Sequence, residues 1–518
     1  MSRSSRVSTR LVQAVDQQPA ALLAVFSVLL LGTCVARASA KAFTHDEIIT
    51  LIVSGLPTIR VMWRAHLDAA DLAPPLNSIA THLVAAVFGV GRISARLPAL
   101  AGYWLMTMVV FEVVRRRSNA VVGLSAAILP SFTGAAAYAY EARPYGLSFG
   151  LFALALFCWS EAAKGRARVI HLPLLALALG GGVWAHYYAL FAFVPIVVGE
   201  MVRTARNRQF DWRMNAAVAA ALLATVPLVS LARAASTRAA GYWARSHGLV
   251  ADAGDAYRFL AGPAIGRRAL VLVSLVLITA FVARRRGRKF CSDVDAVPAH
   301  EIAAGVAIVL IPLGGAILGV FTQVFLPRYV LLSVVGLAIV APLLAWRLSP
   351  SRVTDLVLCV GLASAFTYTS VETLVAPPHF RNPLELRPLL TRQLAGTSPV
   401  VVTDTLFLES WYYTLPDGGR QLKYLADPAA ALRRSDSDTA DRNYLALRDW
   451  APMAVDRWDT FVAGHRAFRM YAAGPHHWQL ARVREGGGSL REIGHEMGYW
   501  LYDVELPGPD REVADSSR

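Results

Sequence analysis

Long apolar runs alternate with short, mostly basic polar stretches along most of this chain. The first run is Ala20–Val35, and others fall near 97–114, 120–137, 146–160, 169–185, 187–202, 214–234, 269–283, 302–322, 329–346 and 353–371. Runs of this kind predict membrane-spanning helices, about eleven here, because a helix satisfies its own backbone hydrogen bonds where no water is available. Several runs are shorter than the roughly 20 residues that a straight span needs. Their helices must extend into flanking Tyr, Trp and Arg, whose polar ends reach back to the interface.

The basic residues between the runs set the orientation, since Lys and Arg concentrate in cytoplasmic loops. With residues 1–19 as a cytoplasmic tail, every second loop is basic. Arg115-Arg116-Arg117 comes first, then Lys164, Arg166 and Arg168, then Arg203, Arg206, Arg208 and Arg213. Arg284-Arg285-Arg286 with Arg288 and Lys289 follows, and Arg347 and Arg352 close the series. This register holds only if residues 76–90 do not span. That segment is short and follows Pro74-Pro75, which predicts a helix lying in or dipping into the outer interface. The first outer loop then runs from 39 to 96, inside a transmembrane domain of residues 20–371.

After the last run the pattern changes. Residues 379–518 are rich in Asp, Arg, Gly and Pro and hold no run able to cross a bilayer, so 372–518 is expected to be a soluble outer domain. Pro399–Asp404 reads as a buried strand followed by a helix through Leu415, and Phe461-Val462-Ala463 and Trp478–Val483 read as further strands. The expected fold class is a polytopic α-helical membrane protein with a small α/β extracytoplasmic C-terminal domain, with no repeat of 20–50 residues.

Composition agrees. Of 518 residues, 55% are hydrophobic and 17% charged, and the mean hydropathy is +0.44, too apolar for a soluble protein of this size. A net charge of +15 raises the question of nucleic acid, but the basic residues sit in short clusters between apolar runs, so no nucleic-acid partner is expected. Arg3, Arg6 and Arg10 before the first run and Ala38-Ser39-Ala40 after it mimic a cleavable signal; the many later spans favour a retained first span. Cys34, Cys158 and Cys359 fall in spans and Cys291 in a cytoplasmic loop, which leaves no outer pair for a disulfide.

Against a basic-inside pattern, arginines in outer turns stand out. Tyr140-Glu141-Ala142-Arg143-Pro144-Tyr145 and Pro327-Arg328-Tyr329 each place a guanidinium beside aromatic rings, with a planar fork suited to phosphate. For either turn alone an interface anchor is an equal reading, and two such turns on the same side favour phosphate capture. A third outer turn, Trp184-Ala185-His186-Tyr187-Tyr188, reverses the chain with almost no loop; its tyrosines suit an aromatic belt, and His186 suits a substrate or a metal. Just past the first span, Thr44-His45-Asp46-Glu47 places an acidic pair at the outer lip. A carboxylate there can take the proton of an attacking hydroxyl or amine, or the pair can cap the helix that begins nearby. His45, Asp46, His66, Asp68, Asp71 and His82 share the first outer loop, but none shows a recognised ligand spacing. A divalent metal held by His45, His66 or His186 is thus an open option and no cofactor is required. Asp404, Glu409 and His465 of the outer domain show no catalytic pattern.

With these residues in view, the chain resembles the GT-C glycosyltransferases, in particular the bacterial family-39-like enzymes related to protein O-mannosyltransferases and lipid A aminoarabinose transferases. The resemblance covers roughly residues 20–345. It rests on His45-Asp46-Glu47, Ala73-Pro74-Pro75-Leu76, Phe88-Gly89, Ala95-Arg96-Leu97-Pro98, Tyr140–Tyr145 and Pro327-Arg328-Tyr329, in that order. It implies a GT-C-like fold in the inner cell membrane and sugar transfer, with inversion, from a polyprenyl-phosphate donor to an envelope acceptor (lipid A, a glycan, a glycolipid or protein). It further implies Asp46 as general base, Glu47 as its support, Glu141 as a second acid, and Arg143 and Arg328 as partners of the leaving phosphate. Tyr145, His186, Tyr187 and Tyr329 complete the expected binding set. A transporter of lipid-linked sugar or polysaccharide is the main alternative, and a non-catalytic scaffold using the outer domain is another. Transporters place ionisable groups at the midplane, whereas here the distinctive residues collect at one end of nearly apolar spans.

Overall fold

The computed structural model describes residues 16–238, 241–262, 297–348, 352–414 and 421–507. The run at 269–283, the basic cluster at 284–289 and Cys291 lie outside them. Among the described residues, helices Pro19–Ala40, Ser94–Arg115, Tyr145–Ala163, Arg168–Ala185, Tyr187–Asn207 and Val353–Val375 are long and apolar enough to cross a membrane. Three bent pairs raise the number of candidate spans to as many as nine. Residues 76–90 contain a helix of 13 residues, Leu76–Phe88, too short for a straight crossing. The chain is thus a mostly helical protein with several candidate spans and a strand-containing C-terminal region.

Three predicted runs, 120–137, 214–234 and 302–322, are bent helix pairs rather than straight helices, and the first is bent most. Residues 120–137 form Ala120–Phe132 and Gly134–Tyr140, bent by 82°. Pro130 removes a backbone donor there, and Thr133 caps the second turn by accepting from the Ala135 N–H at 3.3 Å. The bend delivers the chain to Glu141 and Arg143.

The chain divides into two compact units: Met1–Ser39, Ala73–Leu228 and Ala244–Pro378 form the first, and Ala40–Leu72, Val229–Trp243 and His379–Arg518 the second. In the first, helices Leu97–Arg115 and Tyr145–Ala163 pack backbone to backbone. A Cβ added at Gly146 would lie 2.3 Å from the Ala99 carbonyl oxygen, and one at Gly150 would lie 2.4 Å from that of Gly102. Small residues permit this approach where dispersion, rather than the hydrophobic effect, drives helix association. At the basic ends of these helices the arginines are held by acids. Arg116 bridges Glu112 at 2.6 Å and Glu161 at 2.8 Å, Arg168 pairs with Asp211 at 2.6 Å, and Arg203 joins Glu200 and Asp211. Such networks satisfy charges that would otherwise be costly at the edge of an apolar bundle.

The second unit holds a six-stranded sheet of order β3-β2-β1-β4-β6-β5. The strands are β1 Val400–Val402, β2 Leu422–Ala426, β3 Val455–Arg457, β4 Ala467–Ala473, β5 Ser489–Glu496 and β6 Tyr499–Glu505. β1 pairs in parallel with β2 and β4, and β2 with β3, while β6 runs antiparallel to β4 and β5. β1 lies where Pro399–Asp404 predicts a strand, and the helix after it, Leu406–Thr414, is described as far as Thr414. Two other expectations fail. Phe461-Val462-Ala463 lies in a helix, Trp458–Gly464, and Trp478–Val483 in another, Trp478–Glu485. In each, the buried residues recur at three positions, Trp458 with Phe461 and Leu480 with Val483, which is the helical period and not the strand period of two. The strand that the first of these resembled begins a few residues later, at Ala467.

Candidate active site

In the second unit, Thr44 starts helix His45–Ser54. Its backbone N–H donates to Glu47 Oε2 at 3.0 Å, so Glu47, fully buried, closes the helix start from within. Lys41 Nζ stands 3.8 Å from the same carboxylate. Asp46, the next residue back, keeps a side chain that is 32% exposed. His45 brackets it: the ring Nδ1 is 3.4 Å from Asp46 Oδ1, the backbone N–H donates to Glu409 Oε1 at 3.2 Å, and the ring meets Tyr444 edge-on at 5.7 Å. Burial raises the Glu409 carboxyl above its usual range, partly offset by the His45 N–H. Sequence reasoning singled out Asp46 and Glu47 as candidates but gave Glu409 no role, because its partner is 364 positions away.

In the first unit, the two arginine turns and the His186 turn come together. His186 lies between helices Arg168–Ala185 and Tyr187–Asn207. Its ring is 4.8 Å from that of Tyr145 and 5.9 Å from that of Tyr329, and Tyr188 stacks on Tyr329 at 4.2 Å. Burial, then the positive charges of Arg143 and Arg328, push the His186 imidazolium down to about 3, so the ring is neutral at physiological pH. Its Nδ1 accepts from the Tyr188 N–H at 3.3 Å, which assigns the ring proton to Nε2. The result is a neutral N–H donor flanked by two guanidiniums, a set of donors suited to phosphate oxygens. Tyr187 opens the short turn Tyr187–Ala192, half-buried.

Glu141 ends the turn Gly134–Tyr140, and its carbonyl accepts from the Arg143 N–H at 2.7 Å. Its side chain belongs to the wall of a cavity of about 630 Å³, with Arg37, Arg258, Tyr103, Tyr138 and Ser131. Tyr138 links the cavity to the His186 cluster through its ring contact with Tyr145 at 4.5 Å. Arg37 stands over the Tyr140 ring at 5.8 Å. Neither Arg37 nor Tyr138 stands out in the sequence, since each lies within or beside an apolar run.

His66 is buried, with Nδ1 3.3 Å from the Asp71 carbonyl oxygen. Among the described residues, no group of three His, Cys, Asp or Glu side chains is arranged to hold a metal ion.

Residues 73–231 match the sequence model of the dolichyl-phosphate-mannose-protein mannosyltransferase family. That stretch includes Glu141, Arg143, Tyr145, His186 and Tyr187, and excludes Asp46 and Arg328. No curated protein sequence matches the chain. The crystal structure of ArnT from Cupriavidus metallidurans in the apo state is similar with a TM-score of 0.58 at 13% identity, covering 93% of this chain and 98% of that one. The structure of the same protein bound to undecaprenyl phosphate gives 0.57 at 13% identity, covering 93% and 97%. The shared fold is the GT-C-like fold that the sequence resemblance implies.

Proposed function

We propose that this chain is a membrane glycosyltransferase that moves a sugar from a polyprenyl-phosphate donor to a cell-envelope acceptor on the extracytoplasmic face of the inner membrane. The observation that carries this reading is the cluster of Arg143, Arg328 and the neutral His186 among stacked tyrosines. Two fixed positive charges and an N–H donor answer the two charges that a phosphate monoester carries when it leaves a sugar. The family match over 73–231, the fold shared with a protein that binds undecaprenyl phosphate, and the adjoining cavity support a lipid-phosphate ligand.

In the proposed reaction an acceptor hydroxyl or amine attacks the anomeric carbon from the face opposite the phosphate. The carbon–oxygen bond to phosphate breaks, the configuration inverts, and polyprenyl phosphate leaves with the bonding electrons. Asp46 takes the acceptor proton. Arg143 and Arg328 neutralise the charge that grows on the leaving oxygen, and His186 Nε2–H donates to it. Glu47 orients the turn that bears Asp46 through its capping bonds, and Glu141 stands as a second acid toward the sugar. Tyr145, Tyr187 and Tyr329 line the binding surface. The leaving group is already good, so positioning and charge neutralisation supply most of the rate.

The test is sugar transfer by the purified chain in membranes supplied with a polyprenyl-phosphate sugar and envelope acceptors. Arg143→Gln and Arg328→Gln should each lower transfer by roughly tenfold or more, the worth of one charge-assisted contact. A lipid-linked sugar that crosses the bilayer with its mass unchanged would instead establish a transporter and overturn the reading.

A further inference from the structure

A second cavity, of about 590 Å³, lies wholly within the second unit and takes no part in the reaction proposed above. Asp427, which follows β2, lines it together with Arg457, the last residue of β3, and Trp458 and Asp459 beyond it. It therefore sits at the carboxyl ends of two adjacent parallel strands, where open α/β sheets hold their ligands because the loops there diverge from a rigid edge.

Four arginines from three elements line this cavity. Arg238 ends helix Leu228–Arg238, Arg442 lies on helix Thr439–Leu447, Arg448 caps that helix at its C-terminus, and Arg457 closes β3. Two aspartates in the same wall do not offset them, because both are already engaged. Asp427 Oδ1 caps helix Pro428–Ser435 by accepting from the Ala430 N–H at 2.9 Å, and its Oδ2 lies 3.4 Å from Arg482. Asp459 accepts from the same Arg482 at 3.3 Å. Asp438 holds Arg442 from outside the cavity, and Asp449 stands 3.8 Å from Arg448. Each of these contacts uses one side of a guanidinium that has five donors. Leu432, Leu445 and Pro428 supply an apolar wall.

We infer that this cavity binds a phosphorylated sugar, with the phosphate gripped by the arginines and the C–H face of the ring laid on the apolar wall. Four guanidiniums meet in a lining whose two aspartates are held by Arg482 and a helix cap, so the cavity favours an anion such as a phosphate monoester. The volume exceeds what a bare phosphate fills and falls in the range of small-molecule sites. The sugar phosphate comes either from a soluble metabolite or from the headgroup of a phosphorylated envelope glycan.

Calorimetry on the detergent-purified full chain tests this. Glucose 1-phosphate should bind, glucose should not, and a phosphorylated glycolipid headgroup binding more tightly than glucose 1-phosphate would identify the envelope as the source. Equal or weaker binding of the headgroup would identify the soluble metabolite. Arg448 and Arg457 are exposed, and Arg448 also donates to the Val455 carbonyl at 3.1 Å, so the double variant Arg448→Gln/Arg457→Gln should stay folded with at most a small drop in melting temperature while losing roughly tenfold or more in affinity. Inorganic phosphate binding as tightly as glucose 1-phosphate, or binding that survives the double variant but is lost in Arg143→Gln, would overturn the inference.

Discussion

The backbone N–H of His45 donates to the Glu409 carboxylate at 3.2 Å, joining residues 364 positions apart. Glu409 rises from helix Leu406–Thr414, directly after β1, and His45 begins the helix that carries Asp46. A second bond runs the same way, from the Phe43 N–H to the Tyr413 hydroxyl at 2.6 Å. The α/β domain thus fixes the backbone of the turn that bears the proposed base.

That contact predicts a graded response. Glu409→Gln keeps an acceptor oxygen for the His45 N–H and should retain most transfer. Glu409→Leu leaves a partly buried donor unsatisfied, at a cost of about 1–3 kcal/mol, and should lower both the melting temperature and the turnover number. Equal activity of the two variants in membrane assays would show that the bond does not position the turn.

His186 predicts a pH response with a defined sign. Its folded value of about 3 lies below the 6.5 of a free imidazole, so its contribution to stability is complete above pH 6.5 and is lost as pH falls toward 3. His186→Gln should flatten that part of the acid denaturation profile. In the neutral range, transfer should show no titration assignable to His186, and a step near pH 6.5 that disappears in His186→Gln would contradict a neutral ring.

The glycine contact predicts the largest structural effect. Gly150→Val would drive a branched side chain into the Gly102 carbonyl oxygen, which a Cβ alone would approach to 2.4 Å. Helix Tyr145–Ala163 would have to move, and with it the Arg143 turn at its start. Loss of about 1–3 kcal/mol or more in stability is expected, read as a lower melting temperature in detergent, and an unshifted midpoint would contradict the packing described.

Much of this was legible in the sequence, for identifiable reasons. The apolar runs announce most of the membrane helices, because a span must be continuous in chemistry to survive in lipid. Asp46, Arg143, His186 and Arg328 stand out because charged or polar residues at the ends of apolar runs are costly unless used or paired. What the sequence did not carry is long-range. Glu409 is one acid among many until the fold sets it against His45. Trp458–Gly464 and Trp478–Glu485 are short segments whose apolar content suits a strand or a helix equally, and tertiary burial decides between them. The run at 120–137 reads as one continuous span in the sequence, and the bend between Phe132 and Gly134 belongs to the packing.

The central claim is that Asp46 takes the proton of the acceptor. Its most direct test is turnover of Asp46→Asn in membranes supplied with polyprenyl-phosphate sugar. The variant should fold and insert as the wild type does, because Glu47 and Glu409 still hold the helix start, and should lose transfer by roughly 100-fold or more, the usual worth of a general base. Near-normal turnover by correctly inserted Asp46→Asn would contradict the account.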